Sequence, residues 1–373
     1  MGLNSTTAQS GGWSGLVRLG DAPVTRIRLA GAAMPRPLPR LCIDDVALVA
    51  EHWVQFHADG MAGEPFDLAS LGPMAVRLNG PGLIWRGGAL LDDDAIMPVY
   101  VKPVLEKFRD ALVAAPCALP VRRDGRTALV FHGWGIQVFG HFLIEMLPKL
   151  LLARRFPAVF GDAMPVLDRA MPDWLLRSLD RHFGIGDAGA IWFDSRSEQL
   201  DLDRAIILPL VSRAAGYHPA ARAWFAEFAA RIAVPPSSPI ERLFVARGEF
   251  SNPAAPNRVL ANEAELADIA TRAFGFSVVH PETLEFAEQV GRFSQARVVL
   301  GQAGSGMHNA LFAPEGAAVG VIRFTAPDQS HIAALRGQRI AYFTEGVAET
   351  APGVFRADAG KFRRFVAALC GQP

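Results

Sequence analysis

Lysine is scarce in this chain: Lys102, Lys107, Lys149 and Lys361 are the only four in 373 residues. An excess of either charge is missing too, with 37 Lys and Arg against 37 Asp and Glu. That balance excludes a whole-molecule basic field for nucleic acid, so no nucleic-acid partner is expected. The basic side is nearly all arginine, whose planar fork suits bidentate contact with phosphate. Cysteine is sparse. Cys42, Cys117 and Cys370 are scattered and odd in number, which leaves no disulfide framework and no CxxC pair and fits a reducing compartment. The opening "MGLNSTTAQSGGWSG" lacks a basic segment followed by an apolar one, so it does not read as a signal peptide. No uncharged apolar run reaches the roughly 18 residues of a membrane span. The nearest, "FGHFLIEMLPKLLLARRF", is interrupted by His141, Glu145 and Lys149, and leaves room for a peripheral membrane contact. The histidines have no HExxH-like spacing, so no metal is expected.

What is present is a folding chain. Half of its residues are hydrophobic and 20% are charged, as in a packed globular protein, and its length suits two domains with separate cores. Residues 74–101 read as short strands joined by Gly and Asp turns, and 102–116 as a helix. From Thr127 onward strands and helices alternate: "TALVFHG", "GHFLIEMLPKLLLARRF", "MPVLD", "PDWLLRSLDRHFG", "AIWFD", "RAIILPLV", "PAARAWFAEFAARIA". The Pro/Ser stretch "VPPSSP", 234–239, is the natural linker. Beyond it come "RLFVARG", a helix with Asn262 as N-cap and Glu265 three residues on, "FSVVH", "LEFAEQVGRFSQA", "RVVLG", "AVGVIRF" and a last amphipathic helix. Strand–helix alternation on both sides of a linker predicts two doubly wound α/β domains, with ligands beyond the carboxyl ends of the strands.

Three places could carry chemistry. In "RVVLGQAGSGMHNALFAPEG", a buried strand feeds a loop with Gly301, Gly304 and Gly306 and then a helix ending at Pro314. Such a helix start favours an anion, with Ser305 adding a hydroxyl and His308 lying in the first turn as a neutral donor. The spacing is neither GxGxxG nor a Walker A loop, and a tight turn alone would also account for it. Arg247 ends the strand "RLFVAR" and Arg258 follows in the next loop. Two arginines there would neutralise a diphosphate, or simply lie at the surface. Glu263 could accept from a ribose hydroxyl, although a first-turn Glu needs no ligand. In "GHFLIEMLPKL", His141 and Glu145 are four apart on one face of an otherwise apolar helix, as a general base and its partner would be, or as a satisfied pair at a core edge. Asp92, Asp93 and Asp94 read as a hairpin turn.

The order of these motifs, "FGHFLIEMLPKL", then "FVARGEF…NRVLANEAEL", then "GFSVVHPETLEFAEQVGRFSQARVVLGQAGSGMHNALFAPEG", resembles glycosyltransferase family 61, from about Phe139 to Phe324. That family includes bacterial capsule and lipopolysaccharide enzymes, plant xylosyl- and arabinosyltransferases and eukaryotic O-linked N-acetylglucosaminyltransferases. The resemblance implies a GT-B fold: an acceptor-side domain over 1–234 and a Rossmann-like nucleotide-sugar domain over 235–357, facing an interdomain cleft. It allows the last helix, 358–373, to cross back onto the first domain. It implies inverting, metal-independent transfer from a nucleotide-sugar donor, UDP-linked by expectation, to a glycan or glycolipid acceptor in bacterial surface polysaccharide assembly. No cofactor is implied. Gly301, Gln302, Gly304, Ser305, Gly306, Met307, His308 and Asn309 would line the diphosphate, with Arg247, Arg258 and Glu263 beside them. His141 or Glu145 would be the base. The chain departs from the family pattern at Ala303, where the loop histidine falls, and at Phe142, where tryptophan follows the first histidine. The need for a nucleotide sugar and the missing signal place the protein in the cytoplasm or at the cytoplasmic face of the inner membrane. Pyruvyl transfer, nucleotide-sugar epimerisation and a non-catalytic binding role are the alternative readings, since fold alone does not separate them.

Overall fold

The computed structural model describes residues 13–19, 22–27, 40–41, 67–80, 82–86, 89–91, 96, 119–131, 133, 135, 137–213, 216–247, 259–323 and 327–371. The helix expected at 102–116, the Asp92–Asp94 turn and Arg258 lie outside the described residues. The chain forms an α/β protein of two units, one built from 1–32 and 65–214, the other from 33–64 and 215–373.

In the first unit, nine of the described strands make one mixed sheet. Four run parallel: Val121–Val130, Met164–Asp168, Ile191–Phe193 and Gln199–Ile207. The last of these returns to the other side of the first, so the order of chain passage reverses between Val121–Val130 and Gln199–Ile207. It gets there through a turn at 194–198, with no helix. Antiparallel strands Leu68–Asn79, Ala22–Ile27 and Trp13–Leu19 extend the sheet beyond Gln199–Ile207. The first unit is therefore a mixed sheet with four parallel strands of nine, not the doubly wound domain expected. Leu68–Asn79 buries Met74, Val76 and Leu78 and exposes the position between the first two, as a sheet covered on one face requires. Opposite partners Arg77 and Asp201 join by two hydrogen bonds of 2.6 and 2.8 Å.

The second unit carries a wholly parallel sheet in the order Ser277–Val279, Arg242–Val245, Val298–Gln302, Ala318–Ile322, Arg339–Phe343, Arg40–Leu41. Val298–Gln302 and Ala318–Ile322 are buried at every position, because helices cover both faces. Phe244, Leu300 and Ile322 meet helices Glu263–Phe274 and Ala359–Leu369 on one face. Helices Ala221–Ile232, Phe286–Phe293, Ser305–Phe312 and Pro327–Arg336 cover the other. Leaving out Arg40–Leu41, the strands run second-first-third-fourth-fifth in chain order. The direction of winding switches between Arg242–Val245 and Val298–Gln302, where open α/β sheets bind ligands.

Two boundaries differ from expectation. The division falls at Ala214/Ala215 rather than at 234, because Phe225 of helix Ala221–Ile232 meets Phe312 edge-on and Phe228 packs tilted against Phe286 inside the second unit. The Pro/Ser stretch leaves that helix over Gly291, where a Cβ would stand 1.8 Å from the Val234 carbonyl oxygen. It is an internal loop. Helix Ala359–Leu369 puts Phe362, Phe365 and Val366 into the second unit's own core. Among the described residues no helix is long and apolar enough to cross a membrane.

Candidate functional site

In the first unit, strand Val121–Val130 runs through a glycine-containing loop into one helical stretch. It is α-helical at Phe139–His141, π-helical at Phe142–Met146 and α-helical again at Leu147–Arg155. The π turn has an identifiable cause. Pro148 has no N–H to give the Ile144 carbonyl, and the Leu147 N–H reaches back to Phe142 instead. The Ser212 hydroxyl donates to the Ile144 carbonyl at 3.4 Å. On this stretch His141 Nδ1 lies 2.8 Å from Glu145 Oε1. A carboxylate only accepts, so Nδ1 carries the proton in this pair. The His141 side chain is 26% exposed and that of Glu145 10%. The ring is laid against Gly135 (φ +84°), where a Cβ would stand 2.7 Å from the imidazole Cδ2. Lys149, one turn beyond Glu145, is 4% exposed, and burial pulls its amine down to about 8 against a smaller opposing pull from Glu145. Phe142, at the departure from the family's tryptophan, is fully buried and meets Trp174 edge-on at 5.7 Å. It belongs to the core.

In the second unit the residues converge at the switch in winding. Arg247 follows strand Arg242–Val245, and its backbone N–H donates to both carboxylate oxygens of Glu263 at 3.1 Å. Glu263 thus has a structural partner at the start of its helix. The Arg247 side chain reaches the loop after Val298–Gln302, where a Cβ on Gly304 would stand 3.2 Å from its Nη1. The three glycines have different work. A Cβ on Gly301 would meet the Val245 carbonyl oxygen at 2.6 Å, and one on Gly306 would meet Val245 Cγ1 at 3.2 Å, so these two let the loop pack on the strand. Gly304 lets the guanidinium approach.

The helix that follows is 3₁₀, Ser305–Phe312, not the α-helix expected as far as Pro314. Its first N–H groups have no partner within the helix. Ser305 and His308 are partly exposed there. Met307 and Asn309, expected to contact a donor, are fully buried: Asn309 Nδ2 donates to Gln289 Oε1 at 2.9 Å and to the Gly306 carbonyl at 3.2 Å. Gln302 is 3% exposed. The side chains of all three are buried in this conformation. Ala303 is 1% exposed, and its N–H donates to the Ile322 carbonyl at 3.2 Å. Asn262 is the N-cap of helix Glu263–Phe274, as expected, but its side chain caps no backbone N–H: it donates to Glu265 Oε2 at 2.9 Å and exchanges two hydrogen bonds with the Ala357 backbone, at 2.9 and 3.0 Å. Among the described residues no group of three or more His, Cys, Asp or Glu could hold a metal ion.

Residues 139–320 match the family model Glycosyltransferase 61. The matched family is one of glycosyltransferases, and over this stretch the chain is similar to it. The match covers nearly half of the chain, starts on the His141 helix and ends within the strand after the Gly304 loop. No curated protein matches the chain. The matched stretch contains His141, Glu145, Arg247, Glu263 and the whole loop. It leaves out the antiparallel part of the first sheet and everything after Gly320. The sequence reading missed the π turn, Gly135 and Lys149. Pro148 inside an apolar helix was the available signal for the first, and Lys149 was visible as one of only four lysines.

Proposed function

We propose that this protein is an inverting, metal-independent glycosyltransferase of the GT-B type, acting in bacterial surface polysaccharide synthesis. The second unit would take a nucleotide-sugar, and the first would supply the base for a glycan or glycolipid acceptor. The observation that carries the reading is the Arg247 guanidinium set against Gly304 at the switch in winding of a parallel sheet. An arginine and the first N–H groups of a helix are what a departing diphosphate needs. In the reaction, His141 Nε2 accepts the proton of the acceptor hydroxyl. That oxygen bonds to the anomeric carbon from the face opposite the diphosphate. The bond to the diphosphate breaks with its electron pair going to the phosphate oxygen. Glu145 holds the imidazole in the required tautomer and stabilises it once protonated. Dependence on a nucleotide sugar favours the cytoplasm or the cytoplasmic face of the inner membrane.

The test is a thermal-shift screen against UDP, GDP, CMP, ADP and dTDP, with and without magnesium. The expected outcome is a shift with one nucleotide that is independent of metal and lost in Arg247→Ala. At a hundredfold excess over Kd, one-site linkage supplies about 2.7 kcal/mol, which is readily seen. Silence with every nucleotide refutes the donor assignment.

A further inference from the structure

Arg323 follows strand Ala318–Ile322, next to the strand that delivers the Gly304 loop. Ile322 is in register with Gln302, so both strands end at the same carboxyl edge. Among the described residues, Arg323 is the only non-glycine with a positive φ, at 102°. Residues with a Cβ avoid that region, and those held there cluster at functional sites.

The strain has a geometric result. Along this strand Ala318 and Ile322 face helices Glu263–Phe274 and Ala359–Leu369, and a Cβ on Gly320 would meet Leu369 and Phe365 on that same face. Strict alternation would send Arg323 to the opposite face. Instead its guanidinium lies over the Phe355 ring, with Cζ 3.7 Å from the centroid, and Phe355 packs on the core of the first face. The positive φ is what turns the arginine over the edge of the sheet. The backbone is pinned there by the Arg323 N–H, which donates to the Phe343 carbonyl at 2.8 Å.

Phe355 is tied to the Arg247 site. Its strand, Val354–Ala357, pairs with Val259–Leu260, and Ala357 exchanges hydrogen bonds with Asn262. The next residue, Glu263, holds the Arg247 backbone. By register, the strand ends that carry Arg247 and Arg323 are two strand spacings apart, roughly 10 Å. A nucleoside diphosphate spans a comparable length from phosphate to base. A guanidinium stacked on an aromatic ring has a second planar, cationic face, and flat bases stack on such planes.

We propose that Arg323, backed by Phe355, is the platform for the nucleobase of the donor, while Arg247 takes the diphosphate. This rests on the second unit being the donor domain. The test measures binding of UDP, GDP, ADP, CDP, dTDP and inorganic pyrophosphate to the full chain by calorimetry. Wild type is compared with Arg323→Gly, Arg323→Lys and Arg247→Ala, and each melting temperature is recorded. Glycine accepts the backbone conformation, and lysine keeps the charge without the plane. Expected: both Arg323 variants bind pyrophosphate like wild type and bind the preferred nucleoside diphosphate about tenfold weaker or worse. Arg247→Ala weakens both ligands, and Arg323→Gly melts no lower than wild type. Unchanged nucleotide affinity in Arg323→Gly overturns the platform and leaves the donor reading standing. Equal loss of pyrophosphate and nucleotide makes Arg323 a phosphate contact and also overturns it. A wild type that binds no nucleotide removes the donor reading and the platform together.

Discussion

At the scale of single residues, glycines that look alike in the sequence separate by what lies behind them. A methyl group at Gly301 collides with the Val245 carbonyl at 2.6 Å and with Met307 Sδ at 2.8 Å. Gly301→Ala should therefore cost stability, about 1–3 kcal/mol by the usual scale of overpacking, measured as the urea midpoint. At Gly304 the neighbour is the tip of an arginine, 3.2 Å away. Gly304→Ala should leave the urea midpoint within error and weaken nucleotide binding by displacing the guanidinium. If both variants change stability equally, the division of labour drawn here is wrong. In the first unit, Glu145→Gln keeps the shape of the pair but removes the charge that fixes the His141 tautomer. Turnover should fall by about 10²–10⁴ with nucleotide affinity kept. Normal sugar transfer by Glu145→Gln would dismiss His141 as the base.

At the scale of the element, the helical stretch 139–155 buries a lysine where a hydrocarbon would be cheaper. Burial holds the Lys149 amine at about 8, below its ordinary 10.5. Below pH 8 the amine is protonated in both folded and unfolded chains, so the cost of burying the charge is fully present. Between about 8 and 10.5 the unfolded chain binds a proton that the folded one does not, and stability rises with pH. Lys149→Met should then stabilise the fold at pH 7, by at most about 3 kcal/mol, with a smaller gain at pH 10. Urea unfolding at the two pH values checks it, and a gain that does not shrink with pH would reject the cause given. This stretch also marks what a sequence does and does not disclose. His141 and Glu145 are legible as an i,i+4 pair, and the structure does join them. The π turn between them depends on where the freed Ile144 carbonyl finds a donor, and Ser212 supplies one from a distant part of the chain. No local pattern announces that.

At the scale of the molecule, the second unit is the legible one. Its central strands Val298–Gln302 and Ala318–Ile322 are continuous apolar runs, because a parallel sheet covered on both faces needs no polar side, and each is followed by a helix. The site residues at its carboxyl edge follow from that rhythm. Arg323 escapes the same reading, because its position depends on a φ angle that no pattern of side chains encodes. The boundary at 234 is misread because proline and serine mark a loop without saying whether the helix before it packs forward or back. Trp224, Phe225 and Phe228 of that helix are buried. A fragment starting at 235 should accordingly be largely insoluble, and one starting at 215 should yield more folded material by circular dichroism. Equal behaviour would argue against the division at 214/215.

The second sheet ends on Arg40–Leu41, which pairs with Ala341 and Tyr342. That edge strand is therefore synthesised about 300 residues before the strand it pairs with. At ordinary translation rates the interval is roughly 15–60 s. Early in it the first unit's strand Leu68–Asn79 is made, which pairs with Ala22–Ile27 from the other side of this segment in sequence. On the ribosome the pairing of these two strands can precede the partner of Arg40–Leu41. The order of synthesis is then written into the path of the chain: the unit that carries the His141 pair has all its strands before Arg339–Phe343, the strand that Arg40–Leu41 must await, is made.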